Sequence, residues 1–508
     1  MSTAVKKEKK GGGLGKGRLG VFGIVFFVVA ASAPMAGMTG VVPVATVLGS
    51  QSAVPGIYLF VGIILLLFSV GFTAMSNKVT NAGAFFAYIG KSLGTNMGVA
   101  SSFVSALAYM AVQFCIYGFF GAIMAEAFAG FGLVLPWYVW TLIGWVLVTL
   151  LSLARVDVGA KFLGVLTSLE VLSMLIVAVA IFATLGPEGI NFGASFDPSL
   201  VFVGGFTGTA GIALAFAFAS FIGFESTAIY GEEAKDSKKT VRRATYWAIG
   251  IIAGLFTFVS FAMVTGLGAS MAADEMFALS TPNPDDQATW LTTPANVLFT
   301  LAATYVGGWM KVTMEILIIT SLFAGLLAFQ NAGARYFFAM SRGGVLPSAL
   351  SKTNGRGAPS GGVWTMSIIG FIVVGLFAVF QLEPVANLFY WLSAVAVLAI
   401  TVVEVLVCIA VIVFFAKNEG ANWWEGKIAP ALAAIGMLLA LYLIVARFNL
   451  LTFLTPEGVD PSLPESSFAL SPLGWFLVTL PVIFFVIGLI SALINKKENS
   501  SLTKDMVS

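Results

Sequence analysis

Residues 30–43 read AASAPMAGMTGVVP and lie inside an apolar stretch from Val21 to Leu48 that contains no charged residue. Such a stretch predicts a membrane-spanning helix, since about 20 mainly apolar residues cross the hydrocarbon core of a bilayer. Its centre nevertheless carries Pro34, Gly37 and Gly40, which are poor helix formers. The segment is therefore either a kinked helix whose glycines pack closely against neighbours, or a broken helix that lines a cavity. Unwound backbone at membrane depth must be surrounded by protein or water.

The composition places the chain in a lipid environment. Of its 508 residues, 59% are hydrophobic and 10% are charged, and the mean hydropathy is +0.98, whereas soluble domains carry about 25% charged residues. The net charge of +2 and the absence of a basic stripe argue against binding of nucleic acid. There is no histidine, and the two cysteines, Cys115 and Cys408, lie far apart in apolar stretches. Because His-based metal sites and catalytic triads are thereby removed, we predict no enzyme, no metal site and no cofactor.

Apolar runs between charge clusters predict an all-α polytopic membrane protein with twelve membrane spans. In chain order the spans cover residues near 21–49, 54–76, 98–128, 133–154, 160–186, 206–230, 244–270, 297–335, 361–382, 385–416, 428–450 and 473–495. The eighth span, at 297–335, is long enough to tilt or to project beyond the bilayer. Residues 1–20 and 496–508 are left as tails.

The lysines and arginines orient these spans. With the N-terminus inside, only Lys311 and Arg447 of the 26 basic residues fall on the outer side, and the outer loops are acidic instead. Basic residues favour the cytoplasmic loops of membrane proteins. The sequence therefore predicts a multi-pass protein of the cytoplasmic membrane, embedded in membrane lipid, with both termini in the cytoplasm.

Span six is interrupted like span one. In GGFTGTAGIALAFAFASFIGFESTAIYGEE, residues 204–233, Gly223 lies close to Ser220 and Glu225. If residues 21–186 and 206–416 form two halves of five spans each, spans one and six hold corresponding positions with opposite orientations. Paired interruptions of this kind point to the binding site of a transporter near the bilayer midplane. Freed amides at a half-helix N-terminus can hold a carboxylate and freed carbonyls an ammonium group, and an amino acid offers both.

Four stretches resemble the amino acid–polyamine–organocation (APC) superfamily of transporters. They are TNAGAFFAYIGKSLG at 80–94, FASFIGFESTAIYGEEAKDSKKTVRRA at 218–244, ARYFFAMSRGGVLP at 334–347 and the GMTG of span one at 37–40. The chain departs from the family at Ser237 and Arg242, where prolines are usual, and at Met38-Thr39-Gly40, where a compact Gly-Ser-Gly-like triplet is common. The resemblance implies a leucine-transporter-like 5+5 inverted repeat followed by two extra spans at 428–495. It also implies transport of amino acids or closely related amines.

The same resemblance implies a substrate site at the two interruptions. Thr39 and Gly40, with the amides of Gly37 and Met38, would grip the substrate carboxylate, although small residues also serve helix packing. Carbonyl groups near the interruptions would take the ammonium group; they lie around Ala36, Ala219 and Ile222, beside Gly223. Many relatives carry a bulky aromatic residue at the position of Ala219. Here the flanking rings either rebuild the gate or pack in the core or against lipid; they belong to Phe216, Phe218, Phe221 and Phe224.

Polar side chains also recur along span three. Tyr109, Gln113 and Tyr117 are spaced i, i+4, i+8 and share one helical face. Buried Gln and Tyr side chains need hydrogen-bond partners, so this face should point into the bundle. There it either contacts the substrate or holds helices together.

Four carboxylates lie well within predicted spans, at Glu170, Glu225, Glu315 and Glu404. Ionisable groups at this depth are functional candidates because they are costly there. Glu315 is explained by an i, i+4 ion pair with Lys311, and Glu404 receives no assignment. Glu225 follows the interruption of span six, together with Phe224, and we predict that it belongs to a gate.

Glu170 falls where the resembling family often carries a lysine, on span five against the interruption of span one. Three roles remain open: binding Na⁺ with hydroxyl groups such as those of Thr320 or Ser321, taking up a proton, or a structural role. We favour the proton, because no cluster of further oxygen ligands is evident on span five. The sequence thus predicts a secondary active amino acid transporter, working by alternating access with proton-coupled uptake. The alternatives are an obligate amino acid exchanger and, more remotely, an ion channel.

Overall fold

The computed structural model describes residues 20–79, 85–153, 156–229 and 234–494, and this part of the chain consists of helices and loops without a β-strand. Within it, ten helices are long and apolar enough to cross a membrane by length and composition. The first of these, Val21–Ser76, contains both spans one and two, whereas span four is the shorter helix Trp137–Ser152. The predicted tails, apart from Gly20 at the start of the first helix, lie outside the described residues.

The helices that correspond to the twelve predicted spans have the following bounds, and each keeps the number of its predicted span. Span one comprises Val21–Ala31, Pro34–Ala36, Gly37–Val41, Val42–Ala45 and Thr46–Ser50; the others are Val54–Ser76, Thr95–Ala129, Trp137–Ser152, Val156–Thr184, Ala210–Phe221 with Ser226–Ile229, Ser237–Leu267, Gly308–Arg342, Ser360–Val379, Pro384–Phe389 with Tyr390–Lys417, Trp424–Ile428 with Ala429–Ala446, and Pro472–Ile494. Shorter helices in the connections include Phe85–Leu93, Phe192–Phe196, Pro198–Val201, Ala272–Ser280, Ala295–Tyr305 and Phe448–Thr452.

Span eight differs from its prediction. The run at 297–335 is divided into Ala295–Tyr305, which belongs to the preceding loop, and Gly308–Arg342. Gly307 between them has a φ of 127°, a value that glycine adopts without strain and other residues do not. The prediction of one long span is wrong because hydropathy does not register a turn made at a single glycine.

Span one is broken, but earlier than the GMTG sequence suggests. The helix Val21–Ala31 ends at Ser32, Ala33 has the left-handed φ of 40°, and a new helix starts at Pro34. The GMTG segment is helical, because Gly37–Val41 forms a π-helical turn. The residue before a proline avoids the α conformation, and proline suits the first turn of a helix. We call Ser32–Ala33 break one.

Span six is broken where the sequence predicts. Its first helix ends at Phe221, and a second short helix starts at Ser226. Between them Gly223 has a φ of 116°, which places the glycine where a side chain would strain the backbone. We call residues 222–225 break six.

Both broken spans lie in the middle of the bundle. Residues 27–46 of span one are all buried, and the apolar window of span six is 94% buried, against 17% for span twelve. Span three packs against spans eight, ten and twelve, and span one packs against spans five, seven and eight. The breaks are therefore surrounded by protein, as unwound backbone at this depth requires.

Candidate functional site

The two breaks lie side by side. A Cβ atom placed on Gly223 would come within 2.8 Å of the Cβ atom of Ala31, the residue that precedes break one. Beside them is a cavity of about 50 Å³. Spans one, three, six, eight and ten line it, through Ala31, Ser32, Ala33, Ala36, Gly37, Val41, Val112, Cys115, Ile116, Ala219, Ser220, Phe329, Phe389 and Ser393. The cavity is thus lined by break one itself and by the residues of span six that precede break six, Ala219 and Ser220.

The lining is mainly apolar, and none of the residues that line this cavity is charged. Two of its hydroxyl groups are already engaged: Ser32 donates to the carbonyl of Val29 at 2.7 Å, and Ser220 donates to the carbonyl of Phe216 at 3.0 Å. Pockets for small ligands usually enclose about 300–1,000 Å³. The cavity has to expand before it can hold an amino acid, so binding requires the surrounding helices to move.

Break one is held by Glu170 of span five. Its Oε1 atom accepts hydrogen bonds from the backbone N–H of Met35 at 2.5 Å and from the hydroxyl group of Ser321 at 2.7 Å. The carboxylate is buried and ties spans one, five and eight together. Glu170 thus lies against break one and beside Ser321, which is where the sequence analysis expects it. The hydroxyl group of Thr320, by contrast, donates to the carbonyl of Leu317 in its own helix.

Break six is held by Glu225, which is also buried. Its Oε2 atom accepts from the backbone N–H of Gly223 at 2.9 Å, and its Oε1 atom accepts from the hydroxyl group of Tyr109 at 2.8 Å. Glu225 therefore fixes the shape of the turn and links it to span three. Its neighbour Phe224 points away into an aromatic cluster with Phe68 and Phe72, with ring centroids 5.7 and 6.5 Å apart.

The groups predicted to hold the substrate carboxylate are placed differently from the expectation. The N–H of Gly37 donates to the carbonyl of Ala33 at 3.0 Å, and the hydroxyl group of Thr39 donates to the carbonyl of Met35 at 2.7 Å. Gly40 faces two rings: a Cβ atom there would lie 2.7 Å from Phe119. Because the segment is helical, its amides are not freed by unwinding. Met38, Thr39 and Gly40 are absent from the cavity lining, whereas Ala36 and Gly37 belong to it.

Among the span-six candidates, Ala219 lines the cavity and its carbonyl accepts from the N–H of Ile222 at 3.2 Å. Ile222 and Phe218 are buried beside the cavity without forming part of its lining. Ala219 is thus the candidate residue of this span that lines the cavity.

The polar side chains of span three have two different kinds of partner. Tyr109 bonds to Glu225, whereas the amide nitrogen of Gln113 donates to Gln330 of span eight at 3.3 Å. Gln330 in turn donates to the hydroxyl group of Ser367 at 2.9 Å, which lies 2.8 Å from that of Thr149. This neutral network joins spans three, four, eight and nine, so the helix-holding interpretation fits Gln113.

The other intramembrane carboxylates behave differently from one another. The predicted ion pair of Lys311 and Glu315 is confirmed, with a distance of 3.8 Å between exposed side chains. Glu404 is buried on span ten, and its Oε2 atom has no hydrogen-bond partner among the described residues.

Sequence reasoning missed two aromatic residues of the site, Phe119 and Phe389. Their rings stack with centroids 4.8 Å apart, and Phe389 lines the cavity. No pattern in the sequence distinguishes them from the other phenylalanines, because 45 are spread through the chain.

Comparison with known proteins adds an independent line of evidence. A family model described as amino acid permease matches residues 19–484. The chain is 28% identical over 351 residues to the branched-chain amino acid permease BcaP of Lactococcus lactis subsp. cremoris, covering 65% of this chain and 70% of that protein. It is 26% identical over 159 residues to an L-lysine transport protein of Corynebacterium glutamicum, covering 31% of this chain and 27% of that protein.

Proposed function

Since the chain belongs to the amino acid permease family and is therefore an amino acid transporter rather than an enzyme, we propose that it takes up neutral, aliphatic amino acids with a proton. Transport would proceed by alternating access around the two breaks. In this proposal the chain crosses the cytoplasmic membrane twelve times, with both termini inside and spans one to five and six to ten as inverted halves. The observation that carries the proposal is the apolar cavity lined by break one and by the end of the helix that precedes break six.

The lining favours an aliphatic side chain over a charged one. Val41, Val112, Ile116 and Phe329 supply apolar surface, and the cavity lining contains no carboxylate to pair with a lysine side chain. A buried ammonium group without a partner costs several kcal/mol or more. Of the two relatives, the branched-chain permease is thus the better guide to the substrate.

Glu170 is the proposed site of the coupling proton. It bonds to the first free amide of the helix after break one and to Ser321 of span eight, so its charge acts where span one would have to move. Hydrogen bonds to an ionised carboxylate are roughly twice as strong as neutral ones. Protonation would therefore loosen the connection between break one and spans five and eight. Na⁺ at the same carboxylate is the competing proposal for the coupling ion.

Flux measurements on the purified protein in proteoliposomes test the proposal. We expect labelled leucine, isoleucine and valine to accumulate when the outside is acidic, and a protonophore to abolish that accumulation. Lysine should compete poorly. Accumulation that follows a Na⁺ gradient would refute proton-coupled uptake and favour a sodium symporter. Uptake that requires amino acid inside the vesicles and does not depend on the pH gradient would refute it too and favour an obligate exchanger.

A further inference from the structure

The cavity ends in a layer of four aromatic rings, contributed by spans three, six and ten. Phe119 stacks on Phe389 with centroids 4.8 Å apart, Phe389 contacts Tyr390 at 5.4 Å, and Tyr390 contacts Phe216 at 5.7 Å. All four side chains are buried. We call Phe119, Phe216, Phe389 and Tyr390 the aromatic layer.

The layer lies at one defined end of the cavity. On span three, Tyr109 bonds to Glu225, Val112 and Ile116 line the cavity, and Phe119 follows one turn later. With a rise of 1.5 Å per residue, Tyr109 and Phe119 are about 15 Å apart along the helix. Along span three, the residues that line the cavity therefore lie between the Glu225–Tyr109 hydrogen bond and the aromatic layer.

The layer is fitted to its neighbours and anchored to a loop. A Cβ atom on Gly40 would lie 2.7 Å from the ring of Phe119 and 3.1 Å from that of Phe389, so a glycine is needed for the two rings to stack there. The hydroxyl group of Tyr390 donates to the carbonyl of Leu291 at 2.8 Å, in the loop before span eight. Gly40 thus has a packing role in the closed layer.

We propose that the aromatic layer is the gate that closes the substrate cavity on the side where spans one and three end, with Phe389 as its movable, size-selecting ring. This inference rests on the proposed function, because it takes the cavity as the substrate site. Of the four rings in the layer, that of Phe389 is the one that also lines the cavity. Its displacement from Phe119 opens a path to the cavity and enlarges it at the same time.

The chain carries its own reporter for this gate. Cys115 lines the cavity and is buried, and Cys408 is the other of the two cysteines. In a Cys408→Ser background, a membrane-impermeant, cationic methanethiosulfonate added outside intact cells reacts with Cys115 only when the layer opens. We expect Phe389→Ala to raise the rate of modification about tenfold, which corresponds to 1.4 kcal/mol.

The matched control is Phe128→Ala in the same background. Phe128 lies later on span three and stacks on Trp140 with centroids 4.3 Å apart, so the same ring is removed from a stack that does not border the cavity. Its modification rate should equal that of the background protein. Phe389→Leu, which keeps an apolar side chain but removes the ring, serves as a second variant if Phe389→Ala does not fold.

A selectivity measurement completes the test. Tryptophan should inhibit leucine uptake more strongly in Phe389→Leu than in the unmodified protein. The leucine side chain is smaller than the phenylalanine ring, so it leaves more room in the cavity for a large substrate. Unchanged Cys115 modification in folded Phe389 variants that still transport leucine would overturn the gate. Failure of the proposed function would look different. The unmodified protein would then show no amino acid flux, and added leucine would not slow the modification of Cys115. Removal of the Phe389 ring would still raise the modification rate of Cys115.

Discussion

Break one and break six are closed by the same kind of contact, a buried carboxylate that accepts a hydrogen bond from a backbone amide, but the carboxylates have different origins. Glu170 reaches the amide of Met35 across 135 residues of sequence, from another span. Glu225 reaches the amide of Gly223 only two residues away. Break one is therefore held from neighbouring helices, whereas break six is held by a carboxylate of its own turn, which in addition accepts from Tyr109 of span three.

The difference separates two roles that a transporter needs. A change in the charge of Glu170 alters how span one is attached to spans five and eight, which is a change between helices. A change at Glu225 alters one turn and its hydrogen bond to Tyr109. We therefore expect Glu170 to set the coupling of transport to the proton and Glu225 to set the rate at which the cavity opens.

Removing the charge at break one should have the largest effect. In proteoliposomes, Glu170→Gln should exchange labelled leucine at equal pH but lose accumulation driven by a pH gradient, because glutamine cannot take up the proton. Glu315→Gln is the matched control, since Glu315 is an exposed carboxylate paired with Lys311, and it should accumulate normally. If Glu170→Gln still accumulated leucine in response to a pH gradient, Glu170 would not set the proton coupling, and the two breaks would no longer have separate roles.

Adding one methyl group at break six should have the next largest effect. Gly223→Ala places a side chain at a φ of 116° and brings its Cβ atom to 2.8 Å from that of Ala31. A φ of 116° lies beyond the left-handed helical region, and an L-residue held in so sparsely populated a conformation is strained by about 1–3 kcal/mol. The contact with Ala31 also pushes the two breaks apart. We expect leucine exchange to fall below detection while the protein remains folded by size-exclusion chromatography.

Gly254→Ala provides the comparison for that variant. Gly254 lies within the helix Ser237–Leu267, and a Cβ atom there meets no other atom within 4 Å. Its exchange rate should stay unchanged. If Gly223→Ala behaved in the same way, the turn of break six would not depend on glycine.

Weakening the hydrogen bond between break six and span three should have a smaller effect. Glutamine at position 225 can keep both contacts, with its oxygen accepting from Gly223 and its NH2 group donating to Tyr109, but these neutral bonds contribute about 0.5–1.5 kcal/mol in place of about 1.5–3 kcal/mol. Glu225→Gln should therefore slow exchange by roughly tenfold while changing leucine affinity less. Tyr109→Phe removes the other partner of the bond and should slow exchange similarly. The double variant should be no slower than either single one. Additive losses would show that the two residues act separately.

Much of this arrangement follows from the sequence, for physical reasons. Charged residues within apolar spans are rare and costly, so Glu170 and Glu225 stand out from the amino-acid sequence alone. The position of break six follows from Gly223, since a glycine beside polar residues in a span offers the backbone a conformation that others avoid. The paired interruptions identify the cavity because they occupy matching places in the chain.

The interrupted stretch of span one contains break one, but the resemblance places the break too late, at GMTG, because glycine and proline each have two uses. Gly40 lies under the rings of Phe119 and Phe389, so it serves close packing instead of unwinding. Pro34 starts a helix rather than ending one. The aromatic layer could not be predicted at all, because it depends on which of many rings in three separate spans meet in space.

The smallest expected effect comes from making break one resemble break six. Ala33 holds a φ of 40° without being glycine, and Ala33→Gly relieves about 1–2 kcal/mol of backbone strain. The same change removes a buried methyl group, worth about 0.8 kcal/mol, that lies against Gly325 of span eight. Glycine also adds about 0.5–1 kcal/mol of conformational entropy cost on folding. These contributions offset one another, so the free energy of unfolding should change by less than about 1 kcal/mol.

Thermal unfolding of the purified Ala33→Gly protein measures that balance, and proton-driven leucine uptake should persist, because Glu170 still holds the amide of Met35. A loss of stability above about 2 kcal/mol would mean that the methyl contact with Gly325 determines the geometry of break one. Both breaks would then depend on side-chain packing between spans as much as on their carboxylates. A small change would leave the Glu170 contact as the main constraint on break one. The contrast with break six, which is held by a carboxylate of its own turn, would then stand.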